Sequence, residues 1–528
     1  MPPADEGVQE RLSAYQNTRN SSFAGFLHDD GLLITTRFAD SAQVHHVRMP
    51  LGQRRQMTFF REPVKICVPS PKDGVAPKGF IFGSDIGGNE QLQLSFFDSD
   101  TATSTRFTDG ISKHDGPCWA AEGNGIAFSS NARDGKHFDV YLLAFAHVAG
   151  RQEHDKVGSP VGFTGGVHAH ARLVMENTDA GYFWTTGAST RPDGSSTLLV
   201  HHYISVSDSK LYLVETDADH VTRRTKIAPS VSQAAAVGTA RLVLSQDGAR
   251  ALGVLYSCNE GTDFLTLRFY DVATQTDTQL CSEAELPWDV EAIAVDATSG
   301  IFVVAHNVDG SSQLRWGRLR VRPLAGTAAA GASVGCPTVL SWYDDLDPGP
   351  GLQKLDLNIP GVIGRMELSY GAGGQPGLVL GFSLLAANAP MDVYTIALGE
   401  WRGDQPASAA PALTGSHLAP LRWTESEVGG LHTSKFVTPD LVRITSFDGL
   451  SFSAFVYRPR APTVGSKRKP GGCPVIVHPH GGPEGQHRPV FSPMIQFLAC
   501  ELGVCVIDPN VRGSDGYGKV RVHPTVRS

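Results

Sequence analysis

The sequence lacks the features that mark secreted, membrane and nucleic-acid-binding proteins. Its polar start has no cationic segment followed by an apolar one, so no secretory signal is predicted. No apolar run approaches the roughly 18 residues that a membrane span needs. The net charge of -8 gives no basic surface for nucleic acid. These absences predict a cytoplasmic protein with neither a membrane nor a nucleic-acid partner.

Cysteine is scarce and scattered. The 528 residues include eight cysteines, and no two of them form a C-x-x-C pair. Cysteines distributed in this way, in a chain without a secretory signal, are typical of reduced structural thiols and exclude a disulfide framework or a cysteine zinc site. The sequence shows neither a metal-ligand cluster nor a phosphate-binding loop, so we expect no cofactor and no metal.

Glycine, by contrast, is abundant, with 57 residues. Seven times, a glycine opens a short β-rich run, which is followed by a polar turn and a second short run. The first runs begin at Gly31, Gly79, Gly125, Gly181, Gly253, Gly300 and Gly377, and the second runs begin at Gln43, Leu92, Asp139, Lys210, Phe264, Gln313 and Asp392. Successive units are 46 to 56 residues apart, except for two spacings of 72 and 77 residues.

Paired strands that recur about every 50 residues are typical of the four-stranded blades of a β-propeller. One blade cannot bury both of its faces, so several must close into a ring. The sequence predicts a mainly β fold with a seven-bladed propeller over residues 25–438, after an N-terminal helical segment at 1–24. Eight blades are the alternative if a long spacing holds another blade, and a pair of β-sandwiches is a less suitable fold. The small-residue stretch 322–335 predicts an inserted loop.

The pattern changes near residue 439. A hairpin with Asp448-Gly449 at its turn, a polar linker, an apolar strand, an amphipathic helix and a second apolar strand are predicted in that order, at residues 444–459, 461–472, 474–478, 489–503 and 503–509. Continuous apolar strands are typical of parallel sheets that are covered on both faces. A strand, a helix and a strand form a βαβ unit, so residues 439–528 are predicted to begin an α/β domain.

The loops of this βαβ unit resemble those of a known enzyme family. HPHGGPEG at 478–485 and VIDPNVRGSDGYGK at 506–519 together resemble the start of the α/β-hydrolase domain in prolyl oligopeptidase-type serine peptidases. The branch that they resemble most contains acylaminoacyl-peptidases and dipeptidyl-peptidase-like enzymes. Residues 18–64 also look like the first propeller blade of that branch. The resemblance implies hydrolysis of short or N-terminally modified peptides, with access limited by the propeller.

The HGGP loop supplies the candidate site residues. Acyl transfer in this fold needs backbone N–H groups that stabilise an oxyanion, and one of them comes from the loop after the third strand. Glycines permit such an approach because they carry no side chain. Gly481 and Gly482 are therefore candidate oxyanion-loop residues, and His480 is expected to shape the loop. The alternative is that the two glycines serve only a tight turn.

Arg512 is a further candidate in the second loop. Its guanidinium could neutralise a carboxylate of the loop or of a substrate. The alternative is a structural ion pair, for which Asp508 and Asp515 are the nearest acidic partners along the sequence.

The catalytic residues that the resemblance implies have no match in this sequence. The family's triad follows the order Ser, Asp, His, and its serine lies on a G-x-S-x-G elbow beyond the second loop. The match at 331–335 precedes the HGGP loop and has no strand leading into it, so we interpret it as coincidence. Neither His523 nor Ser528 suits a triad. We expect an incomplete hydrolase domain that is inactive on its own. The alternative is a non-catalytic propeller that binds peptides or proteins.

Overall fold

The structure of the protein is a computed structural model. It describes residues 6–72, 74–149, 170–219, 221–230, 234–245, 248, 250–297, 299–323, 338–341, 352–355, 360–399, 418–460, 472–482 and 484–519. Within these ranges, none of the helices combines the length and the hydropathy of a membrane span.

Seven four-stranded antiparallel sheets follow one another along the chain and form the blades of a propeller. Blades one to four comprise β1 (Ser21–Phe26), β2 (Leu32–Thr36), β3 (Gln43–Val47) and β4 (Arg54–Gln56); β5 (Ile66–Pro69), β6 (Gly79–Ser84), β7 (Gln93–Asp98) and β8 (Thr103–Arg106); β9 (His114–Trp119), β10 (Gly125–Ser130), β11 (Asp139–Ala144) and β12 (Arg172–Met175); and β13 (Tyr182–Thr190), β14 (Ser196–Ser205), β15 (Asp208–Thr216) and β16 (Thr222–Ala228).

Blade five comprises β17 (Val237–Leu244), β18 (Ala251–Cys258), β19 (Thr266–Asp271) and β20 (Thr276–Gln279). Blade six comprises β21 (Val290–Val295), β22 (Ile301–Val308), β23 (Ser311–Arg318) and β26 (Gln353–Leu355), and it is interrupted by a two-stranded ribbon of β24 (Arg320–Pro323) and β25 (Thr338–Ser341). Blade seven comprises β27 (Val362–Tyr370), β28 (Leu378–Ala386), β29 (Ala389–Gly399) and β30 (Leu421–Arg422).

The first strand of each blade lies innermost, and neighbouring blades pack face to face. Strand β1 contacts both β5 and β27, so the first blade closes the ring against the seventh. An apolar core seals this closure: Phe23 and Ile34 of blade one pack with Val379, Val393 and Trp423 of blade seven. The predicted seven-bladed propeller is confirmed.

The two long spacings have different causes. The spacing of 77 residues reflects the ribbon that interrupts blade six, as an inserted segment predicts. The spacing of 72 residues reflects a wrong strand assignment in blade four. There, the run from Gly181 forms the innermost strand β13, whereas in the other six blades the first run forms the second strand.

The C-terminal part of the described chain forms an eighth four-stranded sheet, which we call the hydrolase sheet. It comprises β31 (Asp440–Thr445), β32 (Ser451–Tyr457), β33 (Val475–Val477) and β34 (Cys505–Asn510), in the spatial order β31, β32, β34, β33. β31 and β32 form the predicted antiparallel hairpin, and β33 runs parallel to β34. Helix α3 (Pro493–Cys500) connects the parallel pair, so the predicted βαβ unit is confirmed.

The two parallel strands differ in burial. β34 lies between β32 and β33, and its Val506 is buried. β33 was expected to be covered on both faces, and that expectation was wrong. Val475, Ile476 and Val477 are 55%, 40% and 62% exposed, because β33 is an edge strand with no neighbour beyond it among the described residues.

Two short helices complete the fold. Helix α1 (Glu6–Gln16) packs against α3, where Tyr15 lies with Phe436 and Phe497 in a small core. Val8 and Leu12 contact the same core, as their helical spacing predicts. The N-terminal helix therefore supports the hydrolase sheet, and the chain enters the propeller only at β1. Helix α2 (Ala146–Ala149) follows β11 in blade three.

The cysteines of the described chain are free thiols. Seven of them are described, and none is paired in a disulfide, as their scatter predicts. The eighth, Cys336, lies outside the described residues, as do the G-x-S-x-G match at 331–335, the linker at 461–471, His523 and Ser528.

Candidate active-site loops

Two loops leave the same edge of the hydrolase sheet and contact each other. The HGGP loop (478–485) follows β33, and the loop at 511–518 follows β34; the carboxyl ends of parallel neighbours meet at one edge. The backbone N–H of Asp515 donates to the carbonyl oxygens of Glu484 and Gly485, at 3.0 and 3.1 Å. The structure thus brings together the two motifs that the sequence singled out.

Gly481 and Gly482 lie exposed on the HGGP loop. Within the described part of the chain, neither backbone N–H donates to a carbonyl or a side chain. Gly482 has φ of +137°, and a Cβ atom there would lie 2.6 Å from the nitrogen of Gly485. A Cβ atom on Gly481 would meet nothing within 4 Å. A tight turn therefore accounts for glycine at 482 but not for glycine at 481.

His480 connects the two loops. Its Nε2 lies 2.7 Å from the Oγ of Ser514, which is buried in the second loop. Its ring also packs against the ring of His487 at a centroid separation of 5.3 Å. Because Ser514 is buried, this pair fixes the loops and does not present a nucleophile to solvent. The contact is the one that a loop-shaping histidine makes.

Arg512 forms an ion pair, but with neither of the partners that its sequence neighbourhood suggested. Its guanidinium donates to Asp448, at the turn of the β31–β32 hairpin. This bond holds the pKa of the Asp448 carboxyl below its usual range. Asp508 instead contacts His478, and Asp515 contacts the HGGP loop through its backbone. Arg512 therefore ties the second loop to the hairpin.

The glycines of the second loop allow the hydrolase sheet to approach the propeller. A Cβ atom on Gly516 would lie 2.4 Å from the Nδ2 of Asn307, and one on Gly518 would lie 2.5 Å from the Oδ2 of Asp263. Both positions have positive φ. Tyr517, between them, is buried and stacks edge-on against Trp288 of the propeller.

Blade six provides the main contact with the hydrolase sheet, and the sequence gave no local signal for it. Arg488, just after the HGGP loop, donates to Glu291 at 2.8 Å and to the carbonyl of Gly310 at 2.9 Å. Asp309, at the β22–β23 turn, accepts from the hydroxyl of Ser453 at 2.5 Å and from Arg443. The partners lie 134 to 197 residues apart along the chain, so only the folded chain brings them together.

The centre of the propeller contains a cavity of about 580 Å³. Its lining comes from the innermost strand of every blade, or from residues next to it: Phe26, Val68, Trp119, Thr185, Arg241, Val295 and Glu367. The cavity is therefore the channel that a closed ring of seven blades creates.

The channel carries charged groups that sequence reasoning did not find. Arg365 donates to the carbonyl of Cys67 at 3.0 Å and lies 3.5 Å from Glu367. Arg241 donates to the carbonyl of Ala240, and it pairs with no carboxylate of the described chain. Burial lowers the pKa of Arg241, and Arg365 adds to that effect. Burial raises the pKa of Glu367. These groups lie on blades that are distant in sequence, so no motif marks them.

Comparisons with known proteins connect this arrangement to one fold. No protein-family model and no curated protein matches the chain. A prolyl endopeptidase structure matches with a TM-score of 0.64 and 14% identity, over 98% of this chain and 65% of its own. Prolyl oligopeptidase B from Galerina marginata, bound to a 35mer hydrolysis and macrocyclization substrate, gives the same values. Puromycin hydrolase matches with a TM-score of 0.63 and 15% identity, over 98% of this chain and 70% of its own.

These identities are low, and what the likenesses show is the fold. The chain spans about 65% of the length of the prolyl endopeptidase and of prolyl oligopeptidase B. Over almost all of its residues, it has the propeller and α/β-hydrolase fold of the prolyl oligopeptidases, as its motifs predicted.

Proposed function

We propose that this chain belongs to the prolyl oligopeptidase-type serine peptidases and carries the propeller and the oxyanion loop of a peptide hydrolase. One observation carries the proposal. The HGGP loop follows a parallel strand of a hydrolase sheet, presents unbonded backbone N–H groups at Gly481 and Gly482, and lies against the loop that has the second family motif. Donors of this kind stabilise the oxyanion that forms during acyl transfer.

The substrate class that suits the fold is a peptide. Prolyl oligopeptidase B, which shares the fold, was captured with a 35mer substrate. In this chain the propeller channel and its charged residues would select peptides by size and charge, with short or N-terminally modified peptides as the expected substrates. The free thiols of the described chain suit a reducing compartment, for which we propose the cytoplasm.

We propose further that the 528-residue polypeptide is catalytically inactive on its own, because none of its residues matches the family's nucleophile, acid or base. The test is covalent labelling with a fluorophosphonate probe, with an active serine peptidase as the positive control. We expect no labelling of the chain. Stoichiometric labelling would contradict the proposal, and loss of that labelling in Ser514→Ala would identify the serine beside His480 as the nucleophile.

A second candidate function is non-catalytic peptide binding in the channel, and Arg241 favours it. A guanidinium that lacks a carboxylate partner in the described chain could accept the C-terminal carboxylate of a peptide, and hydrogen bonds to charged groups contribute about 1.5–3 kcal/mol. Fluorescence anisotropy should then show at least about tenfold tighter binding of a free-acid peptide than of its amide. Arg241→Met should abolish the difference, and Arg55→Met, on the exposed surface, should preserve it.

A further inference from the structure

Next to the oxyanion loop, two histidines and an aspartate converge on one point. The Nδ1 of His478 lies 3.1 Å from one carboxylate oxygen of Asp508, and the Nδ1 of His487 lies 3.6 Å from the other. The three candidate ligand atoms lie within 4.8 Å of one another. No step of acyl transfer uses this cluster.

The fold holds the three residues in place before any ligand arrives. His478 follows β33 directly, and its backbone N–H donates to Ile507 at 2.9 Å, so that it lies opposite Asp508 on β34. Asn510 holds His487 from both sides. Its Oδ1 accepts from the backbone N–H of His487 at 2.7 Å, and its Nδ2 donates to the carbonyl at 3.0 Å. Sites built on strands in this way are more precisely positioned than sites built on loops alone.

The hydrogen bonds of His487 leave one nitrogen facing an acceptor. Its Nε2 lies 2.7 Å from the carbonyl oxygen of His478, so Nε2 carries the proton. In the neutral ring, the Nδ1 lone pair then points toward a carboxylate oxygen of Asp508. Two acceptors that face each other repel unless a cation lies between them. A backbone carbonyl that fixes the tautomer in this way is the usual second partner of a metal-binding histidine.

Asp508 has the same need for a cation. Its side chain is only 4% exposed, and a buried carboxylate requires a compensating charge. No lysine or arginine of the described chain pairs with it. The two imidazoles are the polar groups that contact it.

We propose that His478, His487 and Asp508 form a binding site for a divalent transition-metal ion, with zinc as the best fit. Two histidines and one carboxylate, with an open fourth position, are a ligand set that zinc uses in enzymes, and tetrahedral bonds of about 2.0–2.1 Å place neighbouring ligands about 3.3 Å apart. The two contacts to Asp508 already have that length. The ring of His478 is 57% exposed and is free to turn toward His487.

The ion would bridge β33, β34 and the segment after the HGGP loop. Its open coordination position would lie near His480, whose ring packs against that of His487. The proposal stands on these residues and does not depend on the peptidase function.

The test is a metal titration of the tag-free 528-residue chain after chelator treatment, by calorimetry with Zn²⁺ and by visible spectroscopy with Co²⁺. We expect one strong site whose Co²⁺ spectrum shows d–d bands without thiolate-to-metal charge transfer. His478→Gln and His487→Gln should each weaken binding at least about 100-fold, since even the loss of a residue that only supports a ligand costs 10- to 100-fold. His432→Gln, an exposed histidine elsewhere, should bind as the parent does.

Three results would overturn the site. The parent chain would bind no Zn²⁺ at micromolar concentrations, or both glutamine variants would keep the parental affinity, or the Co²⁺ spectrum would show thiolate coordination. Circular dichroism checks the fold of each variant. If His487→Gln does not fold, His478→Gln decides the question, because the exposed His478 side chain contributes little to packing.

Discussion

The propeller and the hydrolase sheet manage their strand edges and faces in different ways. In the propeller, every blade is covered by its neighbours, and β2 of the first blade buries Leu32, Leu33 and Ile34 completely. In the hydrolase sheet, β33 stands at the edge of the described sheet with Val475 and Val477 more than half exposed. Unpaired apolar edges of this kind are sites of association. A ring therefore completes its own burial, whereas an open sheet depends on what lies beside it.

The hydrolase sheet obtains part of its support from outside itself. Tyr15 of the N-terminal helix packs on Phe497 of α3 and hydrogen-bonds to Glu501 at 3.0 Å. The turn of blade six supplies Asp309 as an acceptor for Ser453. The propeller closes through its own strands. We therefore expect the hydrolase sheet to open at a lower free energy than the ring.

The first way to break this comparison is to weaken the closure of the ring. Trp423 is fully buried where blades one and seven meet, and its Nε1 donates to the Oγ1 of Thr395 at 2.8 Å. Trp423→Ala should destabilise the propeller by about 3–5 kcal/mol, because it leaves a large cavity and an unpaired acceptor. Differential scanning calorimetry should show the propeller transition several degrees lower.

Trp423→Phe is the matched control. It retains most of the apolar volume and loses only the hydrogen bond, so we expect a loss of about 1 kcal/mol. An alanine variant that melts with the parent would mean that the ring does not rely on this closure.

The repeated part of the fold could be predicted from the sequence, because each blade must bury similar strands and so repeats a similar pattern. Blade four shows the limit of that reasoning. Its inner strand also begins beside a glycine, Gly181, and has the composition of a second strand, whereas the true second strand β14 begins at Ser196 without a glycine. Composition identified a strand there but could not give its place in the blade.

The candidate loops could be located by their motifs, but their partners could not. Arg512 pairs with Asp448, 64 residues earlier, because the hairpin turn folds over the second loop. The exposure of β33 was missed for a similar reason, since an apolar run does not state what covers it. The channel charges Arg241 and Arg365 and the pair of His487 with Asp508 arise from packing between distant segments. Residue types could be predicted at these places, and their neighbours could not.

A second way to sharpen the comparison is to change the pH at the contact between the two regions. Asp289 accepts from the backbone N–H of Leu265 at 2.7 Å and lies near Asp515 of the second loop. Burial, with a contribution from Asp515, raises the pKa of Asp289 to about 7. The folded chain therefore keeps this proton up to about pH 7, whereas the unfolded chain releases it near pH 4. The free energy of unfolding should fall as the pH rises from about 4 to about 7, by at most about 1.4 kcal/mol per pH unit from this group.

Asp289→Asn should flatten this pH dependence, because asparagine keeps an acceptor for Leu265 and does not ionise. Urea unfolding measured between pH 4.5 and pH 7.5 gives the two slopes, for which those pH limits are chosen to span about the predicted window. Asp100→Asn, in an exposed turn of blade two, should leave the parental slope unchanged. Equal slopes for the parent and Asp289→Asn would show that Asp289 is ionised throughout.

The smallest expected effect separates the two glycines of the oxyanion loop. Gly482 has φ of +137°, and an added Cβ atom would clash with the backbone of Glu484 and Gly485. Gly482→Ala should therefore cost about 1–3 kcal/mol of local strain, which the exposed loop would relieve by rearranging. We expect faster cleavage of this loop in limited proteolysis, with little change in the melting of the propeller. Gly481→Ala is the matched control, since a Cβ atom there meets nothing within 4 Å and the loop should keep its parental cleavage rate. If both variants are cleaved alike, the left-handed turn at Gly482 does not set the shape of the loop. If only Gly482→Ala is affected, glycine at 481 has no structural reason in the described chain, which leaves a role toward a ligand as the explanation of that residue.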